Sequence, residues 1–441
     1  MSRPLVAVVG KPNVGKSTFF NKVSGDRKSI VLDTPGVTRD RVYADVEWCG
    51  RKFTMVDTGG ITLGENDVIT RHIRKQAEIA MEISDVILFF VDGKNGLTAE
   101  DYDVVDMLRR ANKNVVLVVN KIDNFPAEDL SDFYALGLGE PFAVSSEHMK
   151  GIGDLLDEVV SRFGDDEPDD EDGDVIRIAV VGKPNAGKSS LVNRLLGYER
   201  SIVSDVAGTT RDAVDTPFEA DGRKYLLVDT AGIRRKRSVE DSVEYYSVIR
   251  ALAAIRKADV CLIVLDASAD VTEQDVKIAG YVHEQGKPSV VVINKWDIIE
   301  KDTYTAEKFN KKLKCDLAFM DYFKSITVSA KTGQHVGKLL EAVNYVYEKS
   351  CVRITTGVLN DVLTDATLTV EPPAKKGRRL KILYATQPST KPPVFVIFVN
   401  DAELMHFSYK RYLENSLRKA FGLDGTPIKV IVRSKDEKDV K

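Results

Sequence analysis

A glycine-rich stretch at residues 10–17 has the residue types and the spacing of a phosphate-binding loop. It reads G-K-P-N-V-G-K-S, and the same pattern returns with one change at residues 182–189. Glycine lets backbone N–H groups close around phosphate oxygens, and the helix that follows points its positive end at the same anion. The lysine suits the β and γ phosphates, and the serine hydroxyl suits Mg²⁺. Two such matches in one chain make chance untenable as an explanation.

The segments around each glycine-rich stretch supply the strand and the helix that this chemistry requires. Apolar runs at 5–9 and 176–181 come before the two stretches, and helical patterns at 18–23 and 190–196 follow them. Further apolar runs predict strands that are buried on both faces of a mostly parallel sheet. They cover residues 86–91, 115–119, 260–265 and 289–293, and the helical patterns between them include 69–83 and 243–256. This alternation is typical of an α/β fold with a doubly wound sheet.

A two-residue turn interrupts the alternation once in each copy. Cys49 and Gly50 separate the predicted strands 41–47 and 51–56, and a turn at 221–222 stands at the same point of the second copy. Such a glycine-containing pair between strand patterns predicts a β-hairpin. Each sheet is therefore expected to carry one antiparallel edge strand.

Comparison of the two halves of the chain at a fixed offset reveals an internal repeat. The offset is 172 residues at the first motifs and grows to 174 and then 184 at later ones. The pairs include Gly10 and Gly182, Thr38 and Thr210, Asp57 and Asp229, Asn120 and Asn294, and Ser145 and Ser329. The insertions are expected in loops, which tolerate them. One domain is therefore present twice.

Two motifs after each phosphate loop are placed to meet Mg²⁺ and the γ phosphate. In the first copy, Thr38 in T-R-D can complete the Mg²⁺ shell and sense whether the γ phosphate is present. Asp57 in D-T-G-G ends a strand, so its carboxylate can approach Mg²⁺, while the N–H of Gly60 reaches the γ phosphate. The equivalent residues of the second copy are Thr210, Asp229 and Gly232.

The last two motifs predict which base is bound. Asp123 in N-K-I-D and Asp297 in N-K-W-D follow apolar strands, at the edge where a doubly wound sheet binds its ligand. A carboxylate accepts hydrogen bonds from the ring N–H and the amine of guanine, whereas adenine offers an acceptor at the first position. An unpaired buried carboxylate costs a few kcal/mol, so ATP should be rejected. Ser145 and Ser329 begin a fifth motif whose backbone N–H groups suit the guanine carbonyl oxygen.

These motifs define one predicted nucleotide site in each copy. The first site comprises Gly10, Lys11, Pro12, Asn13, Val14, Gly15, Lys16, Ser17, Thr18, Asp57, Gly60, Asn120, Lys121, Asp123, Ser145 and Ser146. The second comprises Gly182, Lys183, Pro184, Asn185, Ala186, Gly187, Lys188, Ser189, Ser190, Asp229, Gly232, Asn294, Lys295, Asp297, Ser329 and Ala330. The predicted catalytic residues are Lys16, Thr38, Gly60, Lys188, Thr210 and Gly232, and the predicted Mg²⁺ ligands are Ser17, Thr38, Asp57, Ser189, Thr210 and Asp229.

The bulk composition is that of an ordinary globular protein of 441 residues, long enough for about three domains. The four cysteines, at 49, 261, 315 and 351, fit no metal spacing and are predicted to be reduced, small apolar side chains. No apolar run approaches the length of a membrane span, so a soluble cytoplasmic protein is expected. Between the copies, residues 165–174 hold eight acidic residues in ten, which predicts an extended, mobile linker.

The end of the chain differs from the rest in charge and in pattern. Although the net charge is −4, residues 355–441 hold 15 Lys plus Arg against 10 Asp plus Glu, which suggests an anionic partner. The predicted order there is α-β-β-α-β, with a three-stranded sheet covered by helices. The predicted elements are helix 355–368, strand 379–387, strand 393–400, helix 404–421 and strand 426–433. The predicted domains are 1–164, an acidic linker at 165–174, 175–352, and 353–441.

Five motifs in one order, present twice, resemble those of the Der (EngA) family of bacterial GTPases, in the group that includes Era and TrmE. The resemblance covers essentially the whole chain and implies two P-loop GTPase domains followed by a small α+β KH-like domain. It further implies hydrolysis of GTP to GDP and phosphate with Mg²⁺, and a nucleotide-controlled role in assembly of the large ribosomal subunit. rRNA would be a partner, and a monomer is expected. Ser146 departs from the alanine usual at that position, which is used through its backbone.

The resemblance leaves the catalysis of hydrolysis open. Ile61 and Ile233 stand where Ras-like enzymes carry the glutamine that orients water, so water must be positioned otherwise. Asn13 and Asn185 resemble the asparagine with which related GTPases bind K⁺, which can stand where an arginine finger would. The arginines that follow Thr38 and Thr210 are alternative fingers.

Three segments have features of RNA contacts. The G-x-x-G at 422–425 falls between a helix and a strand, where glycines cap and turn the chain, so it is rejected as a nucleic-acid clamp. The basic segment 375–381 is the better candidate, because its charges can meet phosphates. The basic run 234–237 in the second copy could exchange its contacts when GTP is hydrolysed. A nucleotide-responsive RNA-docking protein, in which one G domain merely holds nucleotide, remains an alternative. An RNA-modifying enzyme is disfavoured by the absence of a further cofactor motif.

Overall fold

The computed structural model describes residues 4–24, 43–57, 77–78, 80–81, 84–110, 113–123, 130–163, 175–197, 201–203, 215–229, 243–300, 304–375 and 378–434. They divide into two compact units. The first unit contains the first copy of the repeat. The second unit contains the second copy, apart from Val239–Tyr246, together with the C-terminal domain.

The first unit is built on a six-stranded sheet with the strand order β2-β3-β1-β4-β5-β6. The strands are β1 (Leu5–Gly10), β2 (Tyr43–Trp48), β3 (Arg51–Asp57), β4 (Val86–Asp92), β5 (Asn114–Asn120) and β6 (Phe142–Ala143). Among the described strands of this sheet, only β2 runs antiparallel, and it pairs with β3 through the turn at Cys49 and Gly50. The described strands therefore confirm a mostly parallel sheet with one antiparallel edge strand.

Helices cover both faces of this sheet, because successive side chains of its central strands point to opposite sides. Val6 and Val8 of β1 pack into one core cluster and Ala7 and Val9 into another, and all four are fully buried. The described helices are α1 (Lys16–Ser24), α2 (Ala99–Arg110), α3 (Ser131–Tyr134) and α4 (Ile152–Ser161). The first cluster includes side chains of α1 and α4, and the second includes side chains of α2.

The second copy repeats this sheet with the order β13-β12-β11-β7-β10-β9-β8. The strands are β7 (Val175–Val181), β8 (Ser201–Val203), β9 (Thr216–Ala220), β10 (Arg223–Val228), β11 (Val260–Asp266), β12 (Ser289–Asn294) and β13 (Lys324–Thr327). The predicted hairpin is β9 with β10. A short strand that the sequence did not predict, β8, adds a second antiparallel pairing at the same edge. The described helices are α5 (Lys188–Leu196), α6 (Val243–Lys257), α7 (Glu273–Glu284), α8 (Thr305–Asp316) and α9 (Val336–Cys351).

Apart from an additional pair of two-residue strands, the C-terminal domain has the predicted α-β-β-α-β order. Its elements are α10 (Thr356–Thr369), β14 (Ala374–Lys375), β15 (Arg378–Arg379), β16 (Ile382–Ser389), β17 (Val394–Val399), α11 (Phe407–Phe421) and β18 (Lys429–Ser434). The three long strands form a sheet in the order β16-β17-β18, antiparallel and then parallel. The two-residue strands β14 and β15 form a small antiparallel hairpin, which includes Lys375, Arg378 and Arg379 of the basic segment 375–381.

The C-terminal domain packs directly against the second copy. The Thr426 hydroxyl donates to the Val346 carbonyl oxygen at 3.0 Å, and the Lys391 N–H donates to the Ser350 carbonyl oxygen at 3.0 Å. Both acceptors lie on α9. The second unit is therefore continuous across the two domains.

The structure also shows the exposure of the cysteines and the length of the described helices. The four cysteines are free, and Cys261 is buried and Cys351 half-buried, whereas Cys49 and Cys315 are exposed. Cys49 lies in the hairpin turn, where its side chain finds no core. Within the described ranges, no helix is both long enough and apolar enough to cross a bilayer.

Candidate nucleotide sites

The first phosphate loop follows β1 and is closed by its own lysine. Lys16 is buried at the start of α1, and its Nζ donates to the carbonyl oxygens of Gly10 at 2.6 Å and of Lys11 at 2.5 Å. Burial lowers the pKa of Lys16 to about 8, and the nearby Asp57 carboxylate opposes that shift. A buried ammonium gains more from an anion than from neutral carbonyl groups. The loop therefore presents a cation that is suited to a phosphate oxygen.

Backbone conformation explains why the loop needs glycine at two positions. Gly10 has φ +150°, and a Cβ there would lie 2.3 Å from the Phe90 carbonyl oxygen. Gly15 has φ +94°, and a Cβ there would lie 2.2 Å from Nδ2 of Asn120. Asn13 also has positive φ, +65°, a conformation that asparagine tolerates better than most residues. The loop can thus closely approach both β4 of its own sheet and Asn120, the first residue of the N-K-I-D motif that is predicted to bind guanine.

A hydroxyl and a carboxylate meet beside this loop. Ser17 Oγ donates to Asp57 Oδ2 at 2.9 Å, and Asp57 is buried at the end of β3. Oxygen ligands of this kind are those that Mg²⁺ prefers. Ser17 and Asp57 therefore fit a Mg²⁺ ion held with nucleotide phosphates. The third predicted ligand, Thr38, lies outside the described residues.

Asn120 joins the phosphate loop to the fifth motif. Its Nδ2 donates to the Val14 carbonyl oxygen at 2.7 Å, and its Oδ1 accepts from the N–H and the hydroxyl of Ser146, both at 2.9 Å. Asn120 and Ser146 are both buried. Three motifs that are far apart in the sequence are thus held together by one amide group.

The predicted base-binding end is organised around Asp123. Its carboxylate accepts from the Ser145 hydroxyl at 3.0 Å and forms an ion pair with Lys94 at 2.6 Å. These two contacts lower the pKa of Asp123, the Lys94 hydrogen bond contributing most. Lys121 turns back to Asp92 at 2.8 Å, which fixes the course of its aliphatic stem. The carboxylate of Asp123 is thereby kept ionised as a hydrogen-bond acceptor.

The second phosphate loop reproduces the first one. Lys188 Nζ donates to the carbonyl oxygens of Gly182 at 2.6 Å and of Lys183 at 2.7 Å. Gly187 has φ +94°, and a Cβ there would lie 2.1 Å from Nδ2 of Asn294. The remaining predicted loop residues lie in the two loops or the first turns of α1 and α5: Pro12, Val14, Thr18, Pro184, Asn185, Ala186, Ser189 and Ser190.

The second guanine motif also matches the first. Asn294 Nδ2 donates to the Ala186 carbonyl oxygen at 2.9 Å, and its Oδ1 accepts from the Ala330 N–H at 3.0 Å. Asp297 accepts from the Ser329 hydroxyl at 2.6 Å. The structure therefore brings the phosphate loop, the fourth motif and the fifth motif together in both copies.

The two copies differ where the third motif begins. Asp229 follows β10 with φ +56°, in the left-handed region, and its N–H donates to the Asp215 carboxylate at 2.9 Å.

Several predicted functional positions lie outside the described residues. They are Thr38, Gly60, Thr210, Gly232, Ile61, Ile233, the acidic linker, both candidate arginine fingers and the basic run 234–237.

Sequence reasoning missed two buried carboxylates that anchor the phosphate loops. Asp101 pairs with Lys11 at 2.8 Å, and Asp275 pairs with Lys183 at 2.9 Å. Both carboxylates are almost fully buried, and each lies near the start of a helix. They stand 174 residues apart, which is the offset of the fourth motif, so the repeat itself was the signal that could have found them.

Two family models match the sequence that folds in this way. The model described as a 50S ribosome-binding GTPase matches residues 5–121 and 177–295, and the model described as KH-domain-like of EngA bacterial GTPase enzymes, C-terminal, matches residues 353–433. The chain is 56% identical over 441 residues to the GTPase Der of Ruminiclostridium cellulolyticum, covering 100% of both chains. It is 57% identical over 438 residues to the GTPase Der of Clostridium perfringens, covering 99% of this chain and 100% of that one.

The chain belongs to the GTPase Der family. As a Der-family protein it is a GTP hydrolase with tandem P-loop GTPase domains and a KH-like C-terminal domain, and GTPases of this kind use Mg²⁺ with their nucleotide. Among solved structures, Era from Aquifex aeolicus bound to GDP.AlF4- is 21% identical, with 59% of this chain and 93% of that chain covered and a TM-score of 0.30. That likeness adds nothing to the assignment.

Proposed function

We propose that this Der-family protein hydrolyses GTP at both predicted sites and acts in the cytoplasm as a nucleotide-controlled factor in assembly of the large ribosomal subunit. The observation that supports two sites is the paired bridge of Asn120 and Asn294, since each amide joins a phosphate loop to a fifth motif in its own domain. The ribosomal role is supported by the family model described as a 50S ribosome-binding GTPase. The proposed domains are 1–164, 175–352 and 353–441, with a linker at 165–174.

Within each site, different residues would bind the phosphates, the Mg²⁺ ion and the guanine base. Lys16 and Lys188 would hold the β and γ phosphates, and Ser17 with Asp57, or Ser189 with Asp229, would hold Mg²⁺, which neutralises charge that develops on the phosphate oxygens. Asp123 and Asp297 would accept hydrogen bonds from guanine. Thr38 and Thr210, with Gly60 and Gly232, would respond to loss of the γ phosphate.

Separate Lys16→Ala and Lys188→Ala variants test the two-site proposal. Each variant should lose the turnover of its own site and keep that of the other, because the two loops belong to different domains. A variant that hydrolyses GTP at the wild-type rate would identify its site as one that only holds nucleotide, which is the alternative reading. Nucleotide content per chain, measured on the same samples, separates loss of binding from loss of hydrolysis.

Sedimentation with ribosomal subunits tests the assembly role. Wild-type protein with a GTP analogue should co-sediment with large subunits more than the same protein with GDP. Equal co-sedimentation in both nucleotide states would remove the proposed nucleotide control. A monomeric chain is also proposed, and the mass of the protein in solution tests it.

Potassium activation is proposed from Asn13 and Asn185. Both side chains extend from positive-φ positions in the phosphate loops, at +65° and +61°. Hydrolysis should be faster in K⁺ than in Na⁺ at matched ionic strength, and equal rates would overturn the proposal. Asn13→Ala and Asn185→Ala should abolish the difference at their own sites.

A further inference from the structure

The G-x-x-G of the C-terminal domain is a docking loop within the second unit. The Gly425 N–H donates to the Tyr322 carbonyl oxygen at 2.7 Å, and the Gly425 carbonyl oxygen accepts from the Ser289 N–H at 2.9 Å. Gly425 is buried, and a Cβ there would lie 2.2 Å from Cγ1 of Val346. KH domains grip a nucleic-acid backbone with such a loop. Here protein occupies the loop, so any nucleic acid must meet another surface of this domain.

The sheet of the C-terminal domain offers an aromatic surface on one of its faces. Phe395 and Ile397 of β17 point to the helices and are fully buried. Side chains at alternate positions point the other way. Tyr384 of β16 stands opposite Phe398 of β17 in the register, and the two rings stack with centroids 4.4 Å apart and planes 15° apart. The side chain of Tyr384 remains 44% exposed.

Basic side chains adjoin this aromatic pair. Arg433 of β18 stands opposite Phe398 in the register and is exposed. Beyond the same end of the sheet, an open depression is lined by Arg378, Arg379, Lys381, Asn400, Asp401 and Ser434. Asn400 lies two residues from Phe398, and Ser434 follows Arg433 directly. Along β17, the Asn400 position on the rim of the depression is therefore about 7 Å from the Phe398 position.

The depression is held in shape by the backbone around it. Asn400 Oδ1 accepts from the Lys381 N–H at 2.8 Å, and Asn400 Nδ2 donates to the Arg379 carbonyl oxygen at 3.0 Å. The exposed Arg378 guanidinium lies 3.8 Å from the half-buried Asp401 carboxylate, and exposed Arg379 pairs with exposed Glu371. Ion pairs with solvent-exposed guanidinium groups are weak. Both guanidinium groups can therefore exchange their carboxylates for phosphates at little cost.

We propose that this face binds an unpaired segment of RNA, with one base stacked on Tyr384 and the adjoining phosphates at Arg378, Arg379 and Lys381. The proposal rests on the proposed function, which makes rRNA a partner. An exposed ring can stack only with a base that has left its helix, and single-stranded RNA is recognised in this way. The surplus of basic residues in 355–441 matches a polyanion rather than an apolar partner.

The first test measures binding of a labelled unstructured RNA oligonucleotide to the full chain by fluorescence anisotropy. The same strand annealed to its complement serves as the duplex comparison. Wild-type protein should prefer the single strand, and Tyr384→Leu should weaken that binding about tenfold, because stacking is lost. Tyr384→Phe keeps the ring and should bind like wild type. Tyr102→Leu is the matched control, since Tyr102 is 46% exposed on α2, far along the sequence from this face.

A second test separates stacking from charge. Binding to a single strand weakens with salt by a slope of about −0.7 in log units for each phosphate contacted. Arg379→Gln should make the slope shallower by about that amount. Tyr384→Leu should lower the affinity and leave the slope unchanged. Tyr384→Trp should retain binding, and its fluorescence should be quenched when a base stacks on it, which reports the contact in a folded protein.

The outcomes distinguish this proposal from the proposed function. If wild-type protein co-sediments with large subunits but Tyr384→Leu binds the single strand as tightly as wild type, the aromatic face is wrong and the assembly role stands. If RNA binding depends on the ring but wild-type protein does not co-sediment, the assembly role is wrong and the face stands. Equal binding of duplex and single strand, or binding of a ribosomal protein that Tyr384→Leu abolishes while RNA binding persists, would also overturn the proposal.

Discussion

The side-chain amide of Asn120 donates to the Val14 carbonyl oxygen across 2.7 Å, so one side chain couples the base-binding end of the first site to its phosphate loop. The same amide oxygen receives the Ser146 N–H. Removing it would leave a buried carbonyl and a buried N–H without these partners. The cost of each such group is about 1–3 kcal/mol.

Asn120→Ala should therefore weaken GTP binding at the first site by about tenfold to a hundredfold. Binding is best measured by titration in a Lys188→Ala background, so that the first site is observed alone. Asn114→Ala is the control, because Asn114 lies at the exposed beginning of the same strand. Unchanged affinity in Asn120→Ala would show that the bridge does not support nucleotide binding.

Asp123→Asn should change which base the first site accepts. An amide in place of the carboxylate presents an N–H toward the guanine amine, so two hydrogen bonds to a charged acceptor are lost and GTP affinity should fall about a hundredfold. Xanthine carries a carbonyl at that position and should regain affinity for the variant. Competition between GTP and XTP measures the exchange. Asp132→Asn, at an exposed position of α3, should leave the preference for GTP intact.

Gly425→Ala should destabilise the second unit by about 2–4 kcal/mol, because the new Cβ would meet Val346 at 2.2 Å and the residue has φ +73°. Gly422→Ala has a similarly positive φ of +59°, but its nearest neighbour is the flexible end of Lys349 at 3.5 Å. Its cost should be only about 1–2 kcal/mol. Denaturant unfolding followed by far-UV circular dichroism compares the two. Equal losses would mean that backbone strain alone, without the clash, explains both variants.

The second unit should lose stability in mild acid through His283. Its Nδ1 lies 2.8 Å from the Tyr322 hydroxyl, and burial, reinforced by the Arg418 guanidinium and opposed by Asp321, holds the pKa of His283 below its ordinary value of 6.5. The unfolded chain therefore binds a proton that the folded chain resists. The contribution is fully present above the ordinary pKa and is lost as the pH falls below it, by at most about 1.4 kcal/mol per pH unit.

His283→Asn tests that pH dependence, since its amide can still reach the Tyr322 hydroxyl but takes up no proton. The difference between melting temperatures at about pH 7.5 and about pH 5.5 should be smaller in the variant than in wild type. His335→Asn is the control, because His335 is exposed. An identical pH dependence in His283→Asn and wild type would assign the acid sensitivity to other groups.

The sequence predicted the parts of this fold that depend on local patterns. Continuous apolar runs marked the central strands, and glycine-containing turns marked the hairpins at Cys49 and Asp221. The short strand β8 was not predicted, because three residues are too few to show the alternation of apolar and polar side chains that marks a strand. Asp101 was missed because its partner, Lys11, is distant in sequence, although the equivalent pair of Lys183 and Asp275 follows the internal repeat.

The C-terminal G-x-x-G shows the same limit from the other side. Its rejection as a nucleic-acid clamp followed from its place between a helix and a strand. Gly422 does cap α11 in the left-handed conformation. The role of Gly425 depends on Val346, Ser289 and Tyr322, which belong to another domain, and no local pattern could reveal it.

Strand β12 starts at the residue bonded to Gly425 and ends at Asn294, so the seam between the last two domains and the second guanine motif are opposite ends of a single short strand. Division of the chain near residue 352 would therefore not yield two fragments with their native structure. The fragment with the second copy would expose the surface that contacts Gly425, and β12, which ends at Asn294, would lose its hydrogen bond to that residue. The C-terminal fragment would expose the 422–425 loop, which is covered in the full chain. Measurements on either fragment would therefore describe a destabilised protein, and the last two domains are best studied together.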